Sequence, residues 1–168
     1  MTVADVVRRA QTSKRTFYEH FSDKDAAMLA LYETMSGQLL DQLREALQHA
    51  PAGEARIGLG VAVYLAALQS EPALVRTLLV EILHVGPAGL AVRRRVLQAF
   101  AAMLAAESRA VSDGLPEPVA MAVVGGINEL ILQAVEEDRV DRLGELAEPI
   151  SAMFRALVAG SAEMRALG

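Results

Sequence analysis

The 168-residue sequence predicts an all-α protein, in which a small N-terminal head of short helices is joined by one long helix to a larger helical body. Three observations predict this. Apolar residues recur at three- and four-residue spacing nearly everywhere, and no segment alternates as a half-buried strand does. The composition is 53% hydrophobic but only 4% aromatic, so the core must come from Ala, Leu, Val, Ile and Met, mostly helix formers. Ser, Thr, Asp, Gly and Pro interrupt the pattern at helix-length intervals.

Residues 3–10 form a first short helix. Thr2 caps it and Asp5 takes the capping-box position, while Val3, Val6, Val7 and Ala10 give it one apolar face. Gln11, Thr12 and Ser13 form a turn. Ser13 caps a second short helix, Lys14 to His20, and Phe17 and Phe21 lie four apart, pointing inward. Ser22 caps a long helix over 24–48, with Asp25 three residues on. Its buried stripe is Met28, Tyr32, Met35, Leu39, Leu43 and Leu47, and Pro51-Ala52-Gly53 ends it.

The body begins with a helix over 54–69. Ser70 caps the next, with Pro72 in its first turn, and it runs through Leu74, Leu78 and Ile82 to Val85. Gly86-Pro87 breaks the chain. A helix over 88–111 follows, then a loop from Asp113 to Pro118, then helices over 119–136 and 141–159. Gly144 and Pro149 give the last one a kink or a later start. Of the eight helices, three form the head and five the body.

Composition limits the chemistry. There is no Cys, hence no disulfide frame and no thiolate metal site. His20, His49 and His84 match no metal-ligand spacing. Gly86-Pro87-Ala88-Gly89 lacks the Lys and Ser/Thr of a phosphate loop, and Glu136-Glu137-Asp138 reads as a solvated helix end. Arg93-Arg94-Arg95 reads as a solvated face. No enzyme activity, cofactor or metal is expected. No uncharged apolar run reaches the ~18 residues of a membrane span, and the N-terminus lacks a signal-peptide pattern. The expectation is a soluble, cytoplasmic chain with no membrane partner.

Net charge is −5, but residues 1–24 hold five cations against three carboxylates, so the head is basic and the body acidic. That suits one local anionic contact rather than sequence-blind nucleic-acid binding. Two short helices joined by a three-residue turn are the layout of a helix-turn-helix, whose second helix enters the major groove N-terminus first. Here that end reads Ser13-Lys14-Arg15-Thr16. Lys14 and Arg15 can donate to guanine or phosphate, and Ser13 and Thr16 can reach either. Tyr18 and His20 can donate to phosphate oxygens. Lys24 opens the next helix, where free N–H groups favour an anion.

The string Thr2-Val3-Ala4-Asp5-Val6-Val7-Arg8-Arg9-Ala10, followed by Ser13-x-x-Thr16-Phe17-Tyr18-x-His20-Phe21-x-x-Lys24, resembles the DNA-binding signature of TetR-type regulators. The resemblance covers about the first 35 residues. It implies a helix-turn-helix head over 1–35 and an effector-binding and dimerisation body over 36–168. By resemblance, Thr2, Tyr18, His20 and Lys24 hold phosphates, and Lys14, Arg15 and Thr16 approach bases. Two departures stand out. The family has Gly and an apolar residue in the turn, where this chain has Gln11 and Thr12; at positive φ, Gln costs about 1 kcal/mol relative to Gly. The family also has a helix ahead of Thr2, absent from this sequence, so the expectation is either a truncated or mis-started chain or an incomplete head.

The resemblance further implies dimerisation through the last two helices, in a four-helix bundle about a two-fold axis. Val119, Val123, Ile127, Leu130 and Ile131 offer one stripe. Leu143, Leu146, Ile150, Met153, Phe154 and Leu157 offer another, and Gly125-Gly126 allows close backbone approach. TetR-type bodies enclose an effector, and Tyr64, Leu68, Leu79, Leu83, Phe100, Met103, Leu104 and Met121 are candidates to line its site, with His84 and Asn128 as polar contacts. The scarcity of polar residues points to a small lipophilic effector. The expected function is a ligand-released repressor that binds a two-fold-symmetric DNA operator as a dimer. The alternative is a helical ligand-binding or interaction dimer that does not bind DNA.

Overall fold

A computed structural model describes residues 2–51, 53–109 and 114–166, which are helical and contain no strand. Helix α1 spans Val3–Arg9 and α2 spans Lys14–His20. The capping box forms as expected: the backbone N–H and hydroxyl of Thr2 donate to Asp5 Oδ2 at 3.0 and 2.7 Å, and Asp5 N donates back to Thr2 Oγ1 at 3.3 Å. Gln11 adopts φ 51°, so the turn does demand the left-handed backbone that favours Gly. Ser13 Oγ accepts from Thr16 N at 3.0 Å, capping α2.

Helix α3 spans Lys24–Gln48. Its cap is Asp23 rather than Ser22: Asp23 Oδ1 accepts from Ala26 N at 2.8 Å, while Ser22 Oγ donates to the other carboxylate oxygen at 3.1 Å. A carboxylate is the stronger acceptor at the positive end of a helix. It holds its own pKa below the usual range chiefly through that backbone bond.

Helix α4 spans Glu54–Gln69. The single helix expected up to Val85 is instead α5 (Pro72–Arg76), a π turn (Thr77–Glu81) and α6 (Ile82–His84). The reason lies in packing. Positions 75 and 82 are seven apart and would share one stripe of a continuous α-helix. Val75 belongs to a cluster with Leu65, Ile131 and Leu143, whereas Ile82 belongs to another with Met28, Tyr32 and Val92. The extra residue of a π turn rotates the later face toward its own partners.

Gly86 turns the chain at φ 76°, and α7 runs Pro87–Ser108 with Pro87 in its first turn. It starts one residue earlier than predicted, because Pro favours that position. Its expected last residues, 110–111, and the loop's Asp113 lie outside the described residues, as does Ala52. Gly89 is buried where α6 and α7 meet, and a Cβ there would strike the Ile82 carbonyl oxygen. Ser108 Oγ donates to Ala105 O and accepts from Leu115 N, both at 2.8 Å, pinning the connection that follows. Helix α8 spans Glu117–Glu136, taking in Glu117 and Pro118, which were read as loop. It is long and apolar enough to cross a membrane by length and composition. It is packed in the body through Ala120, Val123, Ile131 and Val135.

The last helix also starts later than 141. A 3-10 stretch covers Val140–Leu146, bent at Arg142, before α9 runs Ala147–Ala166. Gln69 of α4 holds the stretch in place: its amide N donates to the Asp141 carbonyl and its Oε1 accepts from Gly144 N at 3.1 Å. A third cluster, with Ala101, Ala105, Ala120, Val123, Phe154 and Val158, joins α7, α8 and α9. Its small residues let the helices approach closely.

Candidate nucleic-acid interface and the cavity behind it

The head is held together by very little. Val7 and Phe17 are its buried anchors, and Phe21 packs against Phe17 with ring centres 5.5 Å apart. The polar residues singled out in α2 all lie on the surface. Ser13, Lys14, Arg15, Thr16, Tyr18, His20 and Lys24 are exposed around one helix and its flanks. Tyr18 is 56% exposed and stands edge-on against Phe17, with ring centres 5.3 Å apart. Arg15 Nε pairs with Glu19 at 3.1 Å, both strongly exposed. Such a pair contributes about 0.3–0.5 kcal/mol and yields readily to a phosphate or a base edge.

Thr2 is engaged otherwise than its expected role suggests. Its hydroxyl donates to Asp5, whose carboxyl that bond, more than any other, holds at a pKa of about 2. The side chain secures the first turn of α1 against a negative charge, which does not favour a phosphate at the same hydroxyl.

Behind the head, α3 and the body helices line a half-open cavity of about 560 Å³. This is within the range typical of small-molecule sites. Of the residues expected to line one, Tyr64, Leu68, Leu79, Phe100, Met103, Leu104 and Asn128 do so. Leu83, His84 and Met121 do not. Leu83 is 43% exposed. His84 faces a second hollow between head and body, its Nδ1 3.0 Å from the Val80 carbonyl oxygen. Met121 packs on the α7–α8–α9 cluster. The π turn moves positions 83 and 84 off the cavity face that Leu78 and Leu79 occupy, which a continuous helical stripe conceals.

Sequence reasoning missed the wall contributed by α3. Tyr32, Met35, Leu39, Leu43 and Leu47 line the cavity. Their four-residue stripe is the same one that a plain core gives, so the pattern does not separate the two. Tyr64 stacks edge-on against Phe100 at 5.7 Å. Burial pushes the phenols of Tyr32 and Tyr64 upward, so both stay neutral. Arg56 also lines the cavity, but it is committed. Its Nε pairs with Glu107 at 2.6 Å, and its Nη1 donates to the carbonyls of Leu47 and Ala50 at the end of α3. Among the described residues no group of three or more His, Cys, Asp or Glu could hold a metal ion.

The apolar stripes read as a dimer face divide in two. Val123, Ile150 and Phe154 are 4%, 1% and 3% exposed and belong to the body's own core. Val119, Ile127 and Leu157 pack partly against the same clusters. Gly126 and Leu130 point outward, joined by Ala122 four residues earlier on α8 and by Ala152, Met153 and Ala156 on α9. A Cβ on Gly126 would meet nothing within 4 Å. The outward stripe thus mixes small residues with Leu130 and Met153, while Val123, Ile150 and Phe154 of the sequence pattern fill the interior.

Residues 1–31 match the family model described as bacterial regulatory proteins, tetR family. No curated protein matches the chain. Among solved structures, the transcriptional regulator FadR from Bacillus subtilis in complex with stearoyl-CoA is similar over 92% of this chain and 87% of its own, with a TM-score of 0.73 at 17% identity. A protein with unknown function from Rhodococcus sp. RHA1 is similar over 94% of this chain and 85% of its own, with a TM-score of 0.60 at 19% identity. At such identities the likeness concerns the fold, while the family match rests on the residues of the head. The head therefore carries a sequence that matches tetR-type bacterial regulatory proteins, on a fold similar to that of a transcriptional regulator.

Proposed function

We propose that the protein is a cytoplasmic repressor, released from DNA by a small lipophilic effector, and that it binds a two-fold-symmetric operator as a homodimer. One observation carries the reading: α3 begins at Lys24, beside the exposed face of α2, and its later turns, from Tyr32 to Leu47, form a wall of the cavity. A rigid helix that borders both places lets a ligand in one bias the position of the other. For that, the effector must bind the DNA-incompetent arrangement better than the competent one. The boundary between head and body falls within this helix, near residue 35. FadR, which shares the fold, was crystallised with stearoyl-CoA, and this supports a lipophilic occupant for a cavity lined mainly by Leu, Ile, Val, Met and aromatic side chains.

The basic residues offered are Lys14, Arg15 and Lys24, with Tyr18 and His20 as phosphate donors and Ser13 and Thr16 beside the bases. One such head makes few contacts, and a symmetric dimer doubles them over half-sites about 34–36 Å apart or a multiple of that. The outward face of α8 and α9, around Gly126, Leu130 and Met153, supports that dimer. The protein acts by binding, without catalysis. Selection from a random duplex pool, followed by fluorescence anisotropy on the winning sequence, tests the reading. The expected result is a palindromic site bound by two chains and released by a lipophile. Absence of sequence-specific binding at low salt without effector would overturn it and leave the non-DNA-binding dimer.

A further inference from the structure

The polar groups of the cavity differ in whether the protein already satisfies them. Arg56 is the cation among the described lining residues, and Glu107 and two main-chain carbonyls hold it. Glu107 and Glu71 also border the space, so its charged rim is net negative. Three other groups stand apart. Tyr32 is 4% exposed and Asn128 8%, and Tyr64 lies against Phe100 within the body. None of the three side chains makes a hydrogen bond to the described residues, yet none of their polar atoms is sealed off. Their surfaces therefore open into the cavity that all three line. Buried polar groups are normally hydrogen-bonded, and those that face a cavity are available to whatever fills it.

We infer that the cavity selects a lipophile whose buried polar function is an uncharged oxygen group (a hydroxyl, ketone or ester), received by the hydroxyls of Tyr32 and Tyr64 and the amide of Asn128, and that it discriminates against a free carboxylate. Neutral phenols and an amide both donate and accept, which matches a hydroxyl or carbonyl. A carboxylate would lose its hydration with no uncommitted cation to receive it, next to Glu107. Engaging Arg56 instead would strip Glu107 of its partner and release the end of α3. This inference rests on reading the cavity as the effector site.

The test uses the full chain and 1,6-diphenylhexatriene, a hydrocarbon dye, as the reporter of cavity occupancy. Dodecan-1-ol and dodecanoate, matched in chain length, compete against it at pH 9, where the acid is ionised. The alcohol is expected to displace the dye at least tenfold more strongly. Tyr32→Phe and Tyr64→Phe should each weaken the alcohol about fivefold, the effect of one ordinary hydrogen bond. The dye itself should bind both variants as it binds the parent, which shows that the cavity is intact. Equal or tighter binding of dodecanoate overturns the inference, as does full retention of alcohol affinity in both variants. If the dye does not bind at all, the effector-site reading falls together with the inference. If the alcohol binds selectively yet leaves operator binding unchanged, the repressor reading alone falls.

Discussion

The head and the body solve opposite problems with the same helices. The head buries few side chains, chiefly Val7 and Phe17, and displays its polar residues. The body packs three apolar clusters, one of them shared with Met28 and Tyr32 of α3, and lines a half-open cavity. The head is organised instead by its helix ends: the Thr2–Asp5 box, the Ser13 cap, the Asp23 cap and the left-handed Gln11. The caps are each worth about 1 kcal/mol, and the left-handed Gln11 takes back about as much, whereas fully burying one large aliphatic side chain is worth about 1.5–3 kcal/mol. The head therefore depends on the body for rigidity. It receives it where Met28 and Tyr32 of α3 pack on Ile82 and Val92. Function and stability are thereby assigned to different residues, and substitutions should separate them.

The largest effect is expected at that junction. Ile82→Ala empties a fully buried position and should cost about 2–5 kcal/mol, read as a lowered denaturation midpoint. A change under 0.5 kcal/mol, the scale of a surface substitution, would show that α3 does not lean on α6. Next, Lys14→Ala combined with Tyr18→Ala should weaken operator binding on the order of 100-fold, each contact contributing about 1–3 kcal/mol. The midpoint should stay put. Loss of stability in this variant would mean that the head's surface also supports its core.

Arg56→Met tests the reverse coupling. It leaves Glu107 and the last carbonyls of α3 without their donor, at a pair whose side chains are 18% and 28% exposed. A cost of about 2–3 kcal/mol is expected, below the fully buried case because water reaches the pair, and operator affinity should fall as the end of α3 loosens. Gln11→Gly should stabilise by about 1 kcal/mol by relieving the left-handed backbone, with DNA contacts untouched. The smallest effect is acid titration of the head. Asp5 is depressed from 3.8 to about 2 in the folded state. Its contribution is full above the unfolded value and is lost as pH falls through the window between the two. Helical signal from α1 should fray there, and Asp5→Asn should remove that dependence.

The sequence was a good guide wherever the cause is local. The two short helices, the turn at Gln11 and the cap at Ser13 were legible because each depends on neighbours within four residues. The cap at Asp23 was missed by one position, since Ser22 and Asp23 are both good caps and the sequence alone does not rank them. Some cavity-lining residues of α4 and α7 were legible from periodicity, as Tyr64, Phe100 and Met103 show. His84, Leu83 and Met121 were not. The first two lie beyond a π turn that no composition rule announces, and the third lies on a stripe that another cluster claimed.

By itself, then, the sequence determined the all-α class, the order of the helices, and the basic tip with Lys14, Arg15 and Tyr18 at its surface. These follow from propensity, capping and charge, which act over a turn or two of chain. Only the tertiary structure decided which apolar stripe faces which partner. It placed Val123, Ile150 and Phe154 inside and left Gly126, Leu130 and Met153 outside. It also turned Tyr32 of the connecting helix into a wall of the cavity. An apolar residue is equally content against a core, a ligand or a second subunit, because the hydrophobic effect has no direction. The choice among those three is made by the elements that happen to pack beside it.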